Sequence, residues 1–125
     1  MHKKNPINLD LFTIKFPFTA ITSIVHRISG VVLFLCLPLM YWMLGKSLKS
    51  SQDFDFLMGL LHHSIWFSAL FWLMVNAMAY HILAGLRHLM MDFGFGETQK
   101  TAKTSAIIMV ILFVVVMVWT GVLIW

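Results

Sequence analysis

Three stretches of this chain, 28–45, 64–86 and 105–125, contain no Asp, Glu, Lys or Arg. Each is close to the ~20 residues that an α-helix needs to cross a hydrocarbon core of ~30 Å. The composition agrees: 60% of the residues are hydrophobic and only 11% are charged, far more apolar than a soluble domain of this size. The chain therefore reads as one all-α membrane domain, 1–125, with a bundle of three transmembrane helices. They are expected at about 22–46, 59–90 and 104–125, after a cytoplasmic or interfacial lead-in at 1–18.

Orientation follows from the basic residues flanking the spans. Lys3, Lys4, Lys15 and Arg27 precede or open the first span, and Arg87, Lys100 and Lys103 flank the second connection. The first connection carries only Lys46 and Lys49. Positive charge stays on the cytoplasmic side, so the N-terminus is expected inside and Trp125 outside. This sorting accounts for the net charge of +4 without a concentrated basic run, and nothing points to nucleic acid. Lys3 and Lys4 resemble the start of a signal peptide. However, Arg27 interrupts before any long apolar run and no small-residue cleavage pattern follows, so the first helix is expected to be retained. The single cysteine, Cys36, lies mid-span, where an inert buried thiol is expected.

Residues 5–18, "NPINLDLFTIKFPF", read as an extended or irregular interfacial segment able to meet a soluble partner. Pro17 suits the first turn of a helix, and Pro38 should bend the first span. The polar stretch "KSLKSSQDFDF" reads as a simple connection. A continuous second helix then runs toward Phe93, where Gly94 and Gly96 stop it. Trp119 and Trp125 suit interfacial anchoring of the third span.

No carboxylate dyad, Gly-rich phosphate loop or cysteine pair is present, which excludes most self-contained catalysis; no catalytic residue is assigned to the chain alone. Ionisable groups in a membrane are functional candidates, because a partner, cofactor or water must offset their cost. In the second span, His81, Gly85 and His88 share one helix face. Neutral imidazole is a common metal ligand and an axial ligand of haem iron; the competing reading of His81 is a hydrogen bond to a neighbouring helix. Ser23 and Arg27 share a face of the first helix near Gly30, and about 28 Å of helix separates Arg27 from Lys46, so the two can bracket one hydrocarbon core. Arg27 reads either as a snorkelling anchor or, given Ser23 and the adjacent His26, as part of a binding site. Ser23, His26, Arg27, His81 and His88 all fall at the cytoplasmic depth, where they can converge on a haem or quinone. His62 and His63 read as interfacial, the methionines as adaptable packing, and Asn76 as a helix-to-helix hydrogen bond.

The motifs "SIVHRISG" (23–30) and "HILAGLRHLMMDFG" (81–94) resemble the two signature regions of the cytochrome b membrane-anchor subunits of bacterial succinate dehydrogenase, respiratory complex II. The likeness extends from "NPINLDL" through the three-span layout. It departs at Asn5, where the family often has arginine. The resemblance implies an inner-membrane subunit that holds a flavoprotein and an iron-sulfur subunit on the cytoplasmic face, its bundle completed by helices of a second anchor subunit. It also implies His81 as an axial ligand of haem b, with the other ligand from the second anchor. Ser23 and Arg27 would lie at the ubiquinone site, and His26, Arg27 and His88 at the haem propionate side. FAD and iron-sulfur clusters would reside in the partner subunits only, passing electrons from succinate to quinone.

Two other readings stand beside this one. The first is the anchor of a quinol:fumarate reductase, although a single strong haem-ligand histidine argues against its two-haem versions. The second is a structural membrane adaptor without haem.

Overall fold

The computed structural model describes residues 15–125, and the expectations for 1–14, Asn5 included, lie outside them. Four helices follow in order: α1 (Phe18–Lys49), α2 (Ser51–His63), α3 (Ile65–Asp92) and α4 (Gln99–Ile124). Three of them, α1, α3 and α4, are long and apolar enough to cross a membrane; at 1.5 Å per residue they are roughly 48, 42 and 39 Å long. They correspond to the three expected spans. The helix α3 is central, packing on α1 on one side and α4 on the other.

Residues 15–17 are irregular, and α1 starts from an extended Pro17 whose carbonyl accepts from the N–H groups of Ala20 (2.9 Å) and Ile21 (3.2 Å). The helix continues through Pro38. The stretch expected to be a simple connection is different: a single extended residue, Ser50, turns the corner and α2 begins at once. The Ser50 side chain accepts from Asp53 N–H at 3.1 Å, and Lys46 Nζ lies 2.6 Å from Asp53 Oδ1. Together they supply an N-cap and a first-turn carboxylate, which favour helix even in a polar stretch. Ammonium groups of Lys46 and, at 3.9 Å, Lys49 hold the Asp53 carboxyl below its ordinary value, the Lys46 hydrogen bond being the main cause and Ser50 assisting.

The expected continuous second helix from about residue 59 is also corrected: it breaks at Ser64, whose backbone is non-helical. Serine hydroxyls make this break tolerable without proline or glycine. Ser64 Oγ accepts from Phe67 N–H at 3.3 Å, while Ser68 Oγ donates to the Ser64 carbonyl (2.9 Å) and to the Leu61 carbonyl. The span proper is therefore α3, and His62 and His63 end the short, separate α2.

The far end of α3 stops where the glycines predict. Gly94 adopts φ +85°, Gly94 N–H reaches the Met91 carbonyl (2.9 Å) and Phe95 N–H the Met90 carbonyl (3.0 Å), the pattern of a Schellman C-cap. Thr98 Oγ1 then caps α4 through Thr101 N–H at 3.2 Å. A small buried cluster, Tyr80, Ala84 and Met109, joins α3 to α4 with help from Phe113, whose ring meets Tyr80 edge-on at 5.1 Å. Tyr80 also ties α3 to α1, donating from its hydroxyl to the Thr22 carbonyl at 2.9 Å. Toward the opposite end, Trp72 Nε1 donates to the Met117 carbonyl (3.3 Å) and Asn76 Nδ2 to Thr120 Oγ1 (3.2 Å). Asn76 thus makes the expected bond between helices. Large apolar side chains such as Phe34, Leu35 and Val122 are about 70% exposed or more on the outer faces, as suits surfaces covered by lipid or by other membrane helices.

A histidine cluster between α1 and α3

The short spacing 26, 29, 30 on α1 puts His26, Ser29 and Gly30 on one helix face, and that face meets α3 at His81. Gly30 makes the approach possible: a Cβ on it would stand 3.1 Å from His81 Cε1. One turn along α3, Gly85 faces the other ring, where an added Cβ would stand 3.5 Å from His26 Nε2, in ordinary van der Waals contact. The imidazoles of His26 and His81 stack with centroids 4.3 Å apart, and His88 joins with its centroid 5.2 Å from that of His26.

Hydrogen bonding orients the His81 ring. Its Nδ1 lies 2.9 Å from Ser29 Oγ and 3.2 Å from the His26 carbonyl oxygen. Ser29 Oγ donates to that same carbonyl at 2.7 Å, so its proton is committed and its lone pairs face His81. A carbonyl can only accept. The carbonyl contact calls for the tautomer with its proton on Nδ1, and in that tautomer the ring lone pair is on Nε2. A histidine whose Nδ1–H is held by backbone or hydroxyl oxygen is prepared to bind a metal through Nε2.

His26 is prepared differently. Its Nε2 is buried and has no hydrogen-bond partner among the described residues, and such an orphan carries a cost that an added polar group would remove. The donor set fits a haem: one oriented imidazole nitrogen for iron, and two further histidines beside it, one with a polar atom in need of a partner. Among the described residues no group of three or more His, Cys, Asp or Glu forms a ready-made site for a bare metal ion.

Of the residues singled out in the sequence, His26, His81 and His88 are brought together. Ser23 is half-buried on α1 and Arg27 is exposed; no contact with the histidine cluster joins either of them among the described residues. Ser29 was not singled out, although its position one turn after His26 was the available signal. Arg87, read as flanking the second connection, is also buried, at 8% exposure. The start of α4 covers it: Arg87 Nε donates to Ser105 Oγ at 3.1 Å and Nη2 to the Ala102 carbonyl at 2.9 Å.

With this geometry in hand, comparison with known proteins is informative. Residues 1–121 match the family described as succinate dehydrogenase/fumarate reductase transmembrane subunit. The succinate dehydrogenase cytochrome b556 subunit of Coxiella burnetii is 44% identical over the full length of both chains. The b556 subunit of Paracoccus denitrificans is 35% identical across 80% of this chain and 77% of its own. The b560 subunit of Marchantia polymorpha is 31% identical across 87% of this chain and 82% of its own.

Proposed function

Because this chain belongs to the succinate dehydrogenase/fumarate reductase transmembrane subunit family, we propose that it is the cytochrome b membrane anchor of a succinate:ubiquinone oxidoreductase in a bacterial inner membrane. It holds one haem b jointly with a second anchor subunit, contributes to the quinone-reduction site and docks the iron-sulfur and flavoprotein subunits at its basic, cytoplasmic end. The observation that carries this reading is the double claim on His81 Nδ1 by Ser29 Oγ and the His26 carbonyl. That arrangement supports Nε2 as the iron ligand. The relatives are named for succinate dehydrogenase, which favours succinate oxidation over fumarate reduction.

The chain's own residues then have separable tasks. His81 would supply a nitrogen ligand for the iron, its ring oriented by the hydrogen-bonded Nδ1. His26 and His88 stand beside it as donors for propionates, and the unpaired His26 Nε2 gains a partner there. When bound, the haem supplies a one-electron redox centre. At the same depth on α1, Ser23 and Arg27 donate hydrogen bonds to the quinone oxygens, where negative charge grows as electrons arrive. Two electrons from succinate, delivered through clusters in the partner subunits, and two protons from the adjoining aqueous phase convert quinone to quinol. Arg27 is exposed, which suits contact with a substrate carbonyl at the membrane boundary.

Two substitutions test the two sites apart. In the assembled complex, His81→Ala should abolish the haem b signal in reduced-minus-oxidised spectra; an unchanged signal removes the ligand assignment. Arg27→Ala should cut quinone reduction while succinate-dependent reduction of a soluble dye persists. If both activities persist undiminished, Arg27 serves as an anchor alone.

A further inference from the structure

The face of α3 opposite the histidines borders a cleft with no role in the reading above. It lies between α3 and the first half of α4 and has a volume of about 670 Å³, within the usual range for a ligand pocket. Toward the middle of the helices its walls are apolar, with Leu83, Ile108 and Leu112; at the loop end, its mouth, Arg87, Lys100 and Thr104 stand among the apolar Met90, Met91 and Phe95. No acidic residue lines it.

Charge is what selects the occupant. Arg87 is buried, yet its partners, Ser105 Oγ and the Ala102 carbonyl, are both neutral. Among the described residues the ion pairs involve only Lys46, Lys49 and Asp53, so the Arg87 guanidinium has no counter-ion. An uncompensated buried cation is costly, and an anion at the mouth would offset that cost. Lys100, in the first turn of α4, adds a second cation at the same mouth, and Thr104 stands one turn further on. Arginine and lysine beside hydroxyls suit a phosphate oxygen set. Below the mouth, the slot bounded by two transmembrane helices has the polarity of an acyl chain.

We propose that this cleft binds an anionic phospholipid of the leaflet at the basic end of the bundle, its phosphodiester between Arg87 and Lys100 and one acyl chain along Leu83, Leu86 and Leu112. The site is separate from the histidine cluster, since Arg87 and Leu83 lie on the side of α3 facing α4 while His81 faces α1. The inference rests on the membrane setting and not on the haem or quinone assignment.

The test is lipid retention by the intact complex. The complex is delipidated in mild detergent, exposed to mixed vesicles of phosphatidylglycerol and phosphatidylcholine in equal amounts, and its bound lipid counted by native mass spectrometry. Phosphatidylglycerol should be retained preferentially. Lys100→Glu, at an exposed position that does not threaten folding, should lower its retention about tenfold, the effect of one charge-assisted contact; Lys100→Arg should preserve it. Filling the slot with Leu83→Trp should displace the lipid without touching the cations. Equal retention of both lipids, or retention unaffected by Lys100→Glu, would overturn the proposal. So would cross-linking from Thr104→Cys to a partner helix in place of lipid, since a protein would then be the occupant.

Discussion

The two sides of α3 at its basic end treat polar groups in opposite ways. Toward α1, imidazoles stack on one another, Gly30 clears space for His81, and hydrogen bonds orient His81 while His26 Nε2 has no partner among the described residues. Toward α4, a full positive charge is covered and bonded to neutral oxygens of the same chain. The first side holds groups ready for something to be added. The second side uses two of its bonds to join two helices and leaves the charge itself without an acidic partner among the described residues. A polar residue inside a membrane helix therefore does not announce which of these it does; the helix it faces decides.

The comparison can be broken by experiment, and the largest effect is expected at Arg87. Arg87→Ala removes two bonds from a charged donor, at ~1.5 kcal/mol each, so denaturation in detergent should show a loss of about 3 kcal/mol. The haem content per folded complex should stay near normal. Loss of the haem signal in a complex of normal stability would mean that the two sides are not independent. Next is Gly30→Val, whose side chain would collide with His81, already 3.1 Å from a first added carbon. The expected cost is about 1–3 kcal/mol of overpacking, together with a diminished haem signal. Gly45→Val, where no atom of the described residues lies within 4 Å of an added Cβ, is the control that should leave the spectrum intact.

Ser29→Ala should act more gently. The His26 carbonyl still holds His81 Nδ1, so stability should fall by about 1 kcal/mol, and the haem midpoint potential should shift while its content is kept. An unchanged potential would show that the hydroxyl is only packing. The smallest effect lies outside both regions, at Asp53. Its carboxyl is held below the ordinary value of 3.8 by Lys46 above all. A depressed carboxyl stabilises the fold fully above the ordinary value, and the contribution is lost as pH falls through the lower folded value. Hydrogen exchange at the α1–α2 corner should therefore differ between the native chain and Asp53→Asn at neutral pH. That difference should fade in acid well below 3.8.

Much of this molecule could be read from residue order because membranes impose long, unbroken apolar runs. The three spans, the stop at Gly94 and the shared depth of His26 and His81 all follow from length, punctuation and helical rise. The helix α2 was hidden because its polar residues look like those of a loop, and what makes them helical is a cap and a lysine on the preceding helix. The break at Ser64 was hidden because serine is compatible with either state; its effect depends on Ser68 reaching back over the gap. Ser23 stood out through its spacing from Arg27, whereas Ser29 became visible only once the rotation of α1 against α3 was known. Arg87 followed the rule for basic residues at membrane edges until α4 folded over it.

The pair of oxygens that holds His81 belongs to a single turn of α1, and this gives α1 something like a keyway. Turning that helix by one residue, about 100°, would withdraw the Ser29 hydroxyl and the His26 carbonyl from their places together and, in one sense of rotation, bring the bulky Val31 against the imidazole in place of Gly30. Sliding by one turn would fail as well, since it would keep the face but exchange glycine for Arg27 or Phe34 near the contact. The angular and axial settings of α1 are thus fixed at one point by atoms of the very group they present, and the helix can seat in only one way.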